Sequence, residues 1–397
     1  MLPSEFVERY SVERRGTASL KWDGLEARFG DPDLLPVWVA DMDFRVPEVV
    51  VDALRARVDH GVFGYGIIPG SFYEAYQGWL ESRHGLHTEK AWIRCAMGVV
   101  PALYWFVNAF TDPGDAVLIQ TPVYYPFHNA IRDTGRKLVA SDLRYHDGRF
   151  TIDFAGFEKA IVDNDVRLFI LCSPHNPAGR VWTEDELDRM LGICQEHGVI
   201  VVSDEIHHDF TFGDATHVPA LSVAGGRYAS GTVIVDSASK TFNIASLGLA
   251  TAVIPDASLR ARYDAYTRRQ YDPSVLGLVG AEAAYRGGAE WLEALKQVVV
   301  ANYARVKQGL EEALPGAVVC QLEGTYLPLI DLRAVIPATQ THAFVQNHCK
   351  IAVDYGEWFG KSWEGFVRVN LATQPRYIEE LIERLGTGYR TWTGERA

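Results

Sequence analysis

A lysine amine attacks aldehydes to form imines only where its surroundings keep it uncharged. Lys240 has the setting for that chemistry: it stands in SASKTFN, directly after the apolar run TVIVD and between Ser239 and a helix-like stretch. The hydroxyls of Ser237 and Ser239, with a helix N-terminus, would suit a phosphate. Taken alone, Lys240 can equally be a solvated lysine at a strand end. Asp204 closes another apolar run, VIVVSD, and is followed by Glu205, Ile206, His207 and His208. An acid in that place is expected to be buried, and a buried carboxylate needs a partner because an unpaired one costs several kcal/mol. A protonated pyridine nitrogen is one such partner, and a cap on the next turn is the plain alternative. A metal site built from Asp204, His207 and His208 has the right residue types. It lacks the i, i+4 histidine spacing and any second acidic or cysteine cluster, so no metal is expected.

Three further segments carry polar or special residues. SPHNPAGR (173–180) is a proline- and glycine-fixed turn that leaves the Asn176 amide to point above the sheet. GVVP (98–101) opens a helix, and Gly98 allows close backbone approach to an anion. Tyr124 follows the run AVLIQT, and Arg368 lies in FVRVN. Read singly, Tyr124 and Tyr65 are packing aromatics and Arg368 is a surface arginine on an edge strand. The chain has no G-x-G-x-x-G dinucleotide fingerprint, no phosphate-loop G-x-x-x-x-G-K-[ST] and no G-x-S-x-G elbow. The commonest dehydrogenase, NTPase and hydrolase readings are thereby set aside.

The elements that must position these residues are short Val/Ile/Leu-rich runs alternating with helical patterns. DAVLIQTPVYY, VRLFILCSP, VIVVSDEI and TVIVDSASK show no apolar/polar alternation, as expected of strands buried on both faces in a parallel sheet between helices. Thr183 and Glu186 mark a capping box at the start of a helix between two of them. In such α/β sheets ligands sit beyond the carboxyl ends of the strands, which is where Tyr124, Asn176, Asp204, His207, Ser237, Ser239 and Lys240 cluster. A long helical pattern from about residue 285, then LEGTYLPLIDL and GFVRVNLA, suggests a smaller α+β domain. Residues 46–285 are expected to form the large domain. Residues 1–45, a short extended segment, are expected to join 286–397 in the small one.

At 397 residues with 48% hydrophobic and 22% charged, the chain can bury a sizeable core. A net charge of −13 argues against nucleic acid or an anionic membrane as a partner. Five scattered cysteines, no apolar N-terminal leader and no run of about 18 apolar residues point to a cytoplasmic protein.

The ordered series GVVPALY, TPVYYPF, CSPHNPAGR, SDEIH, SASKTFNIA and FVRVN resembles the fold-type-I pyridoxal-phosphate enzymes of the class I/II aminotransferase superfamily. WVADMDFRVPE, FGYG followed by W-x-x-x-RHG, and DEIH in place of a tyrosine at His207 resemble the cystathionine β-lyase (MalY/PatB) branch. The resemblance implies pyridoxal 5′-phosphate bound to Lys240 as a Schiff base, with Lys240 also the general base. It implies Asp204 on the pyridinium nitrogen, and Asn176 and His207 on the phenolic oxygen. Tyr124 would stack on the ring, and Val99, Val100, Ser237 and Ser239 would hold the phosphate. Tyr65 would reach the neighbouring subunit's phosphate in a homodimer, and Arg368 would grip the substrate α-carboxylate. The reaction implied is elimination of a thiol from a cysteine S-conjugate to give pyruvate and ammonia. Transamination, a decarboxylating deamination, or a regulatory role without turnover stays open as an alternative. Trp38, Phe63, Tyr104, Tyr271 and Trp358 are candidates for the pocket lining. Three departures stand out. Gly248 replaces the phosphate-neutralising arginine eight residues after the lysine, Ser246 replaces a glycine, and Ser173 and Ala178 replace an asparagine and a threonine.

Overall fold

The computed structural model describes residues 1–268 and 273–394. Seven strands form the central sheet: β1 (Ile93–Ala96), β2 (Ala116–Thr121), β3 (Lys137–Asp142), β4 (Val166–Cys172), β5 (Ile200–Asp204), β6 (Thr232–Asp236) and β7 (Ala250–Val253). Their order is β1-β7-β6-β5-β4-β2-β3, with only β7 antiparallel to its neighbours. Every residue of β2 and β6 is buried, as their unbroken apolar runs require when helices cover both faces. Edge strand β3 is half-exposed and carries the alternation the inner strands lack.

The helix Glu184–Glu196 opens with the expected capping box. Thr183 Oγ1 accepts from the Glu186 N–H at 3.2 Å, and Glu186 Oε2 accepts from the Thr183 N–H at 2.9 Å. A second, fully antiparallel sheet contains β8 (Val318–Val319), β9 (Leu329–Asp331), β10 (Asp354–Tyr355) and β11 (Phe366–Arg368), in the order β8-β9-β11-β10. Arg368 therefore lies on an inner strand, not an edge.

The N-terminal segment is not simply extended. It forms helices at Pro3–Tyr10, Leu20–Asp23 and Leu25–Phe29 before Leu35–Pro36 pairs in parallel with Ile351–Ala352. The first helix forms because Phe6 and Tyr10, one turn apart, bury together against Trp291 of the long helix Ala289–Ala313. Further on, Asp43 is buried but fully partnered, by Lys21 Nζ at 2.6 Å, Trp22 Nε1 at 2.8 Å and Thr373 Oγ1 at 2.6 Å. This fixes the segment running to Ala40 over the carboxyl ends of the central strands. No helix among the described residues is long and apolar enough to cross a membrane.

Candidate active site

Beyond the ends of β2, β4, β5 and β6 lies a cavity of about 180 Å³. It is lined by Gly98, Val99 and Val100 at the start of the helix Val99–Phe110, and by Tyr124, Asn176, Asp204, His207, Ser239 and Lys240. Eight of the eleven residues singled out from the sequence thus meet in one place. The exceptions are Ser237, Tyr65 and Arg368.

Ser237 stands outside the cavity lining. Its hydroxyl donates to the Leu249 carbonyl at 2.6 Å and accepts from the Ser239 N–H at 3.0 Å. It is buried as the cap of the turn that carries Lys240, and it does not face the cavity. Tyr65 is fully exposed, 99% accessible, on a loop whose Phe63 and Ile67 are exposed as well. It takes no part in its own chain's cavity. Arg368 is buried against the cavity's far wall, donating through Nη1 to Asn176 Oδ1 at 3.0 Å and through Nη2 to Asp354 Oδ2. The Asn176 oxygen is thereby used, which leaves its NH₂ as the end with donors to spend.

Lys240 Nζ donates to the Ala40 carbonyl at 2.7 Å. Burial pulls its pKa down to about 8; Asp41 and Asp204 oppose the shift, and Arg368 adds to it. The amine is consequently uncharged in about one molecule in ten at pH 7, far more than for an ordinary lysine, which favours imine chemistry. Burial raises the Asp204 carboxyl to about 7, against a single backbone donor, the Ile206 N–H at 3.1 Å. His207 is held well below its usual range by burial and by the charges of Lys240 and Arg368. Its Nδ1 is buried with no hydrogen-bond partner among the described residues.

The neighbours His207 and His208 face opposite ways. His208 turns behind the sheet to Asp209 (3.2 Å) and packs on His84 with ring centroids 4.4 Å apart. Asp204 and His207 therefore share no ligand geometry with His208. Behind the sheet, Asp209 also accepts from His84 at 3.1 Å and Thr241 Oγ1 at 2.7 Å, while His217 meets Glu205 at 2.9 Å. Burial opposes a proton on His208, but Asp209 outweighs it and raises the imidazole to about 9. The folded chain thus keeps a proton that the unfolded chain releases near pH 6.5. The stability it contributes is complete below pH 6.5 and is lost as pH rises through about 9. Measured by thermal unfolding, the parent chain should lose a few kcal/mol of stability relative to His208→Asn between pH 6.5 and 9.5.

Sequence reasoning missed Ala40, whose carbonyl holds Lys240 and also accepts from Tyr326 Oη at 3.1 Å. It missed Asp354 altogether. Ala40 lies within WVADMDF, so a signal was present, but a backbone acceptor leaves no trace in residue type. The suggested aromatic lining is also corrected. Trp38 packs with Leu25 and Leu34, Phe63 is exposed, Tyr104 bonds Asp133 at 2.6 Å, and Trp358 stacks near Phe29. Tyr271 lies outside the described residues. Gly248 adopts φ +63°, a left-handed conformation that would strain an arginine there. The loop's backbone is thus shaped for the residue it has.

The sheet order, the lysine at the end of β6 and the buried acid at the end of β5 define a fold-type-I pyridoxal-phosphate enzyme. Residues 37–385 match the aminotransferase class I and II family, and the chain belongs to it. Within it, the chain is 37% identical to cystathionine beta-lyase PatB of Bacillus subtilis, over 94% of this chain and 97% of that one. It is 33% identical to protein MalY of Escherichia coli, over 94% and 96%. Among solved structures, cystalysin of Treponema denticola, which contains a pyridoxal 5′-phosphate cofactor, superposes with a TM-score of 0.92. The identity is 34%, over 96% of this chain and 98% of that one. The PLP-bound C-S lyase of Staphylococcus hominis gives 0.90 at 30% identity, over 95% and 96%.

Proposed function

We propose that this chain is a pyridoxal-phosphate-dependent β-lyase that cleaves the carbon–sulfur bond of cystathionine or another cysteine S-conjugate, giving a thiol, pyruvate and ammonia. The observation that carries the reading is the pairing, in one cavity, of a buried Lys240 whose pKa is drawn down to about 8 with a buried Asp204 that forms no ion pair among the described residues. These residues fit the cofactor: an amine for its aldehyde, an acid for its ring nitrogen, and an orphaned His207 Nδ1 and a free Asn176 amide for its oxygens. When bound, the cofactor supplies an electron sink for the substrate Cα.

Lys240 Nζ then takes the Cα proton; its lowered pKa suits a base working near neutrality. Asp204 would keep the ring nitrogen protonated. Val99, Val100 and Ser239 would hold the phosphate with neutral donors, and Tyr124 would pack on the ring. Arg368 receives the α-carboxylate, a bidentate task for which a lysine is poorly shaped. The fully exposed Tyr65, among exposed apolar neighbours, supports a homodimer in which it completes the partner subunit's site. We also assign residues 46–285 to a large domain and 1–45 with 286–397 to a small one. Five free cysteines favour the cytoplasm.

Purified protein given S-methylcysteine or cystathionine is expected to release thiol and pyruvate in equal amounts. Amino transfer to a 2-oxo acid without thiol release, across several conjugates, would overturn the lyase reading.

A further inference from the structure

Arg368, held behind the cavity-lining Asn176, is already ion-paired. Asp354 and Arg368 stand opposite each other in register across β10 and β11, and both are buried to within 2%. Arg368 Nη2 donates to Asp354 Oδ2 and Nη1 to Asn176 Oδ1, while the guanidinium lies 4.9 Å from the Phe359 ring centre. Two of its five N–H groups are thus spent inside the protein, and its charge is matched by a carboxylate before any ligand arrives. The same Asp354 oxygen accepts from the Val39 N–H at 3.3 Å. Val39 is a β-branched residue at φ +52°, an unfavourable conformation that needs such support. Asp354 therefore ties the guanidinium to the backbone segment whose next residue, Ala40, lines the cavity.

We propose that Asp354 is a positioning residue that sets how strongly Arg368 takes a substrate's α-carboxylate. It presents the guanidinium as half of a neutral pair, so this site draws little selectivity from a free carboxylate and accepts amino acids whose carboxylate is amidated. The inference rests on the reading of Arg368 as the carboxylate-binding residue. A carboxylate approaching an isolated buried guanidinium gains the full attraction of opposite charges in a low-dielectric site. One approaching a pair meets repulsion from Asp354 at nearly the same distance. Asn at position 354 would keep an acceptor for both Val39 and Arg368 and remove only the charge.

The test titrates the holoenzyme with L-alanine and with L-alaninamide, following the visible absorbance of the bound cofactor. Neither ligand carries a β leaving group, so the readout is independent of thiol elimination. Asp354→Asn is expected to tighten L-alanine at least about tenfold while leaving L-alaninamide within about twofold. An unchanged or smaller alanine-to-alaninamide ratio would overturn the proposal. Asp354→Ser, which removes the same charge with less volume, replaces the first variant if that one does not fold with cofactor. Thiol release from S-methylcysteine is measured on the same preparations. Its absence from the parent enzyme would sink the lyase reading and leave the alanine ratio to be judged alone.

Discussion

Lys240→Ala is expected to lower thiol and pyruvate release from an S-alkyl-cysteine by at least about 10³-fold, with the fold retained. Two effects combine. On the proposed reading the variant loses both the amine that would anchor the cofactor's aldehyde and the base that would move the Cα proton. General-base catalysis alone is worth about 10²- to 10⁴-fold. No other side chain lining the cavity can replace it, because the remaining titratable groups there are unsuited. His207 is held far below its usual range, Asp204 is on the proposed reading taken up by the ring nitrogen, and burial keeps the Tyr124 hydroxyl and the Cys172 thiol protonated. The fold should tolerate the change because Lys240 makes one polar contact, with the Ala40 carbonyl, which Tyr326 also satisfies. Steady-state assays with the thermal unfolding curve of the same preparation check both halves. If turnover persists within about tenfold of the parent enzyme, Lys240 is not the base. A regulatory role through protein contacts, by contrast, should survive the substitution unchanged.

The main sheet and most of the cavity were legible because they rest on signals that local residue type carries. Unbroken apolar runs mark strands covered on both faces, and polar residues placed just past those runs must stand at the carboxyl edge. That is why Tyr124, Asn176, Asp204, His207 and Lys240 could be grouped before any contact was known. What stayed hidden depends on direction and on distant pairing. His207 and His208 look alike as neighbours, yet the turn after β5 sends one into the cavity and the other behind the sheet to Asp209. Ser237 and Ser239 flank the same turn, and only the backbone path decides that Ser237 caps it while Ser239 faces the cavity. The pairing of Asp354 with Arg368 is a cross-strand register, which sequence spacing does not show. The N-terminal helices were missed because short segments there gain stability from burying Phe6 and Tyr10 on Trp291, nearly 300 residues on.

Asp204→Asn is expected to reduce kcat by about 10³-fold while KM for the S-conjugate changes little. An ion pair at about 4 Å with an effective dielectric near 20 is worth about 4 kcal/mol, which corresponds to about a thousandfold in rate. Asparagine is nearly isosteric and can still accept from the Ile206 N–H, so the loss reports charge and not packing. A pH dependence separates this role from a structural one. Without cofactor, burial raises Asp204 to about 7, so its contribution to stability is present below pH 4 and is lost as pH rises through 7. A cationic partner in the holoenzyme keeps the carboxylate ionised and removes that loss. The cofactor's stabilisation of the fold should therefore grow between pH 5 and pH 8. Asp236, raised to about 7 by burial behind the same strands, titrates in both forms and cancels from the difference. Thermal unfolding of apo- and holoenzyme across this range should show the gap widening more in the parent chain than in Asp204→Asn. A gap that widens equally in both would assign the effect elsewhere and leave Asp204 as an ordinary buried acid.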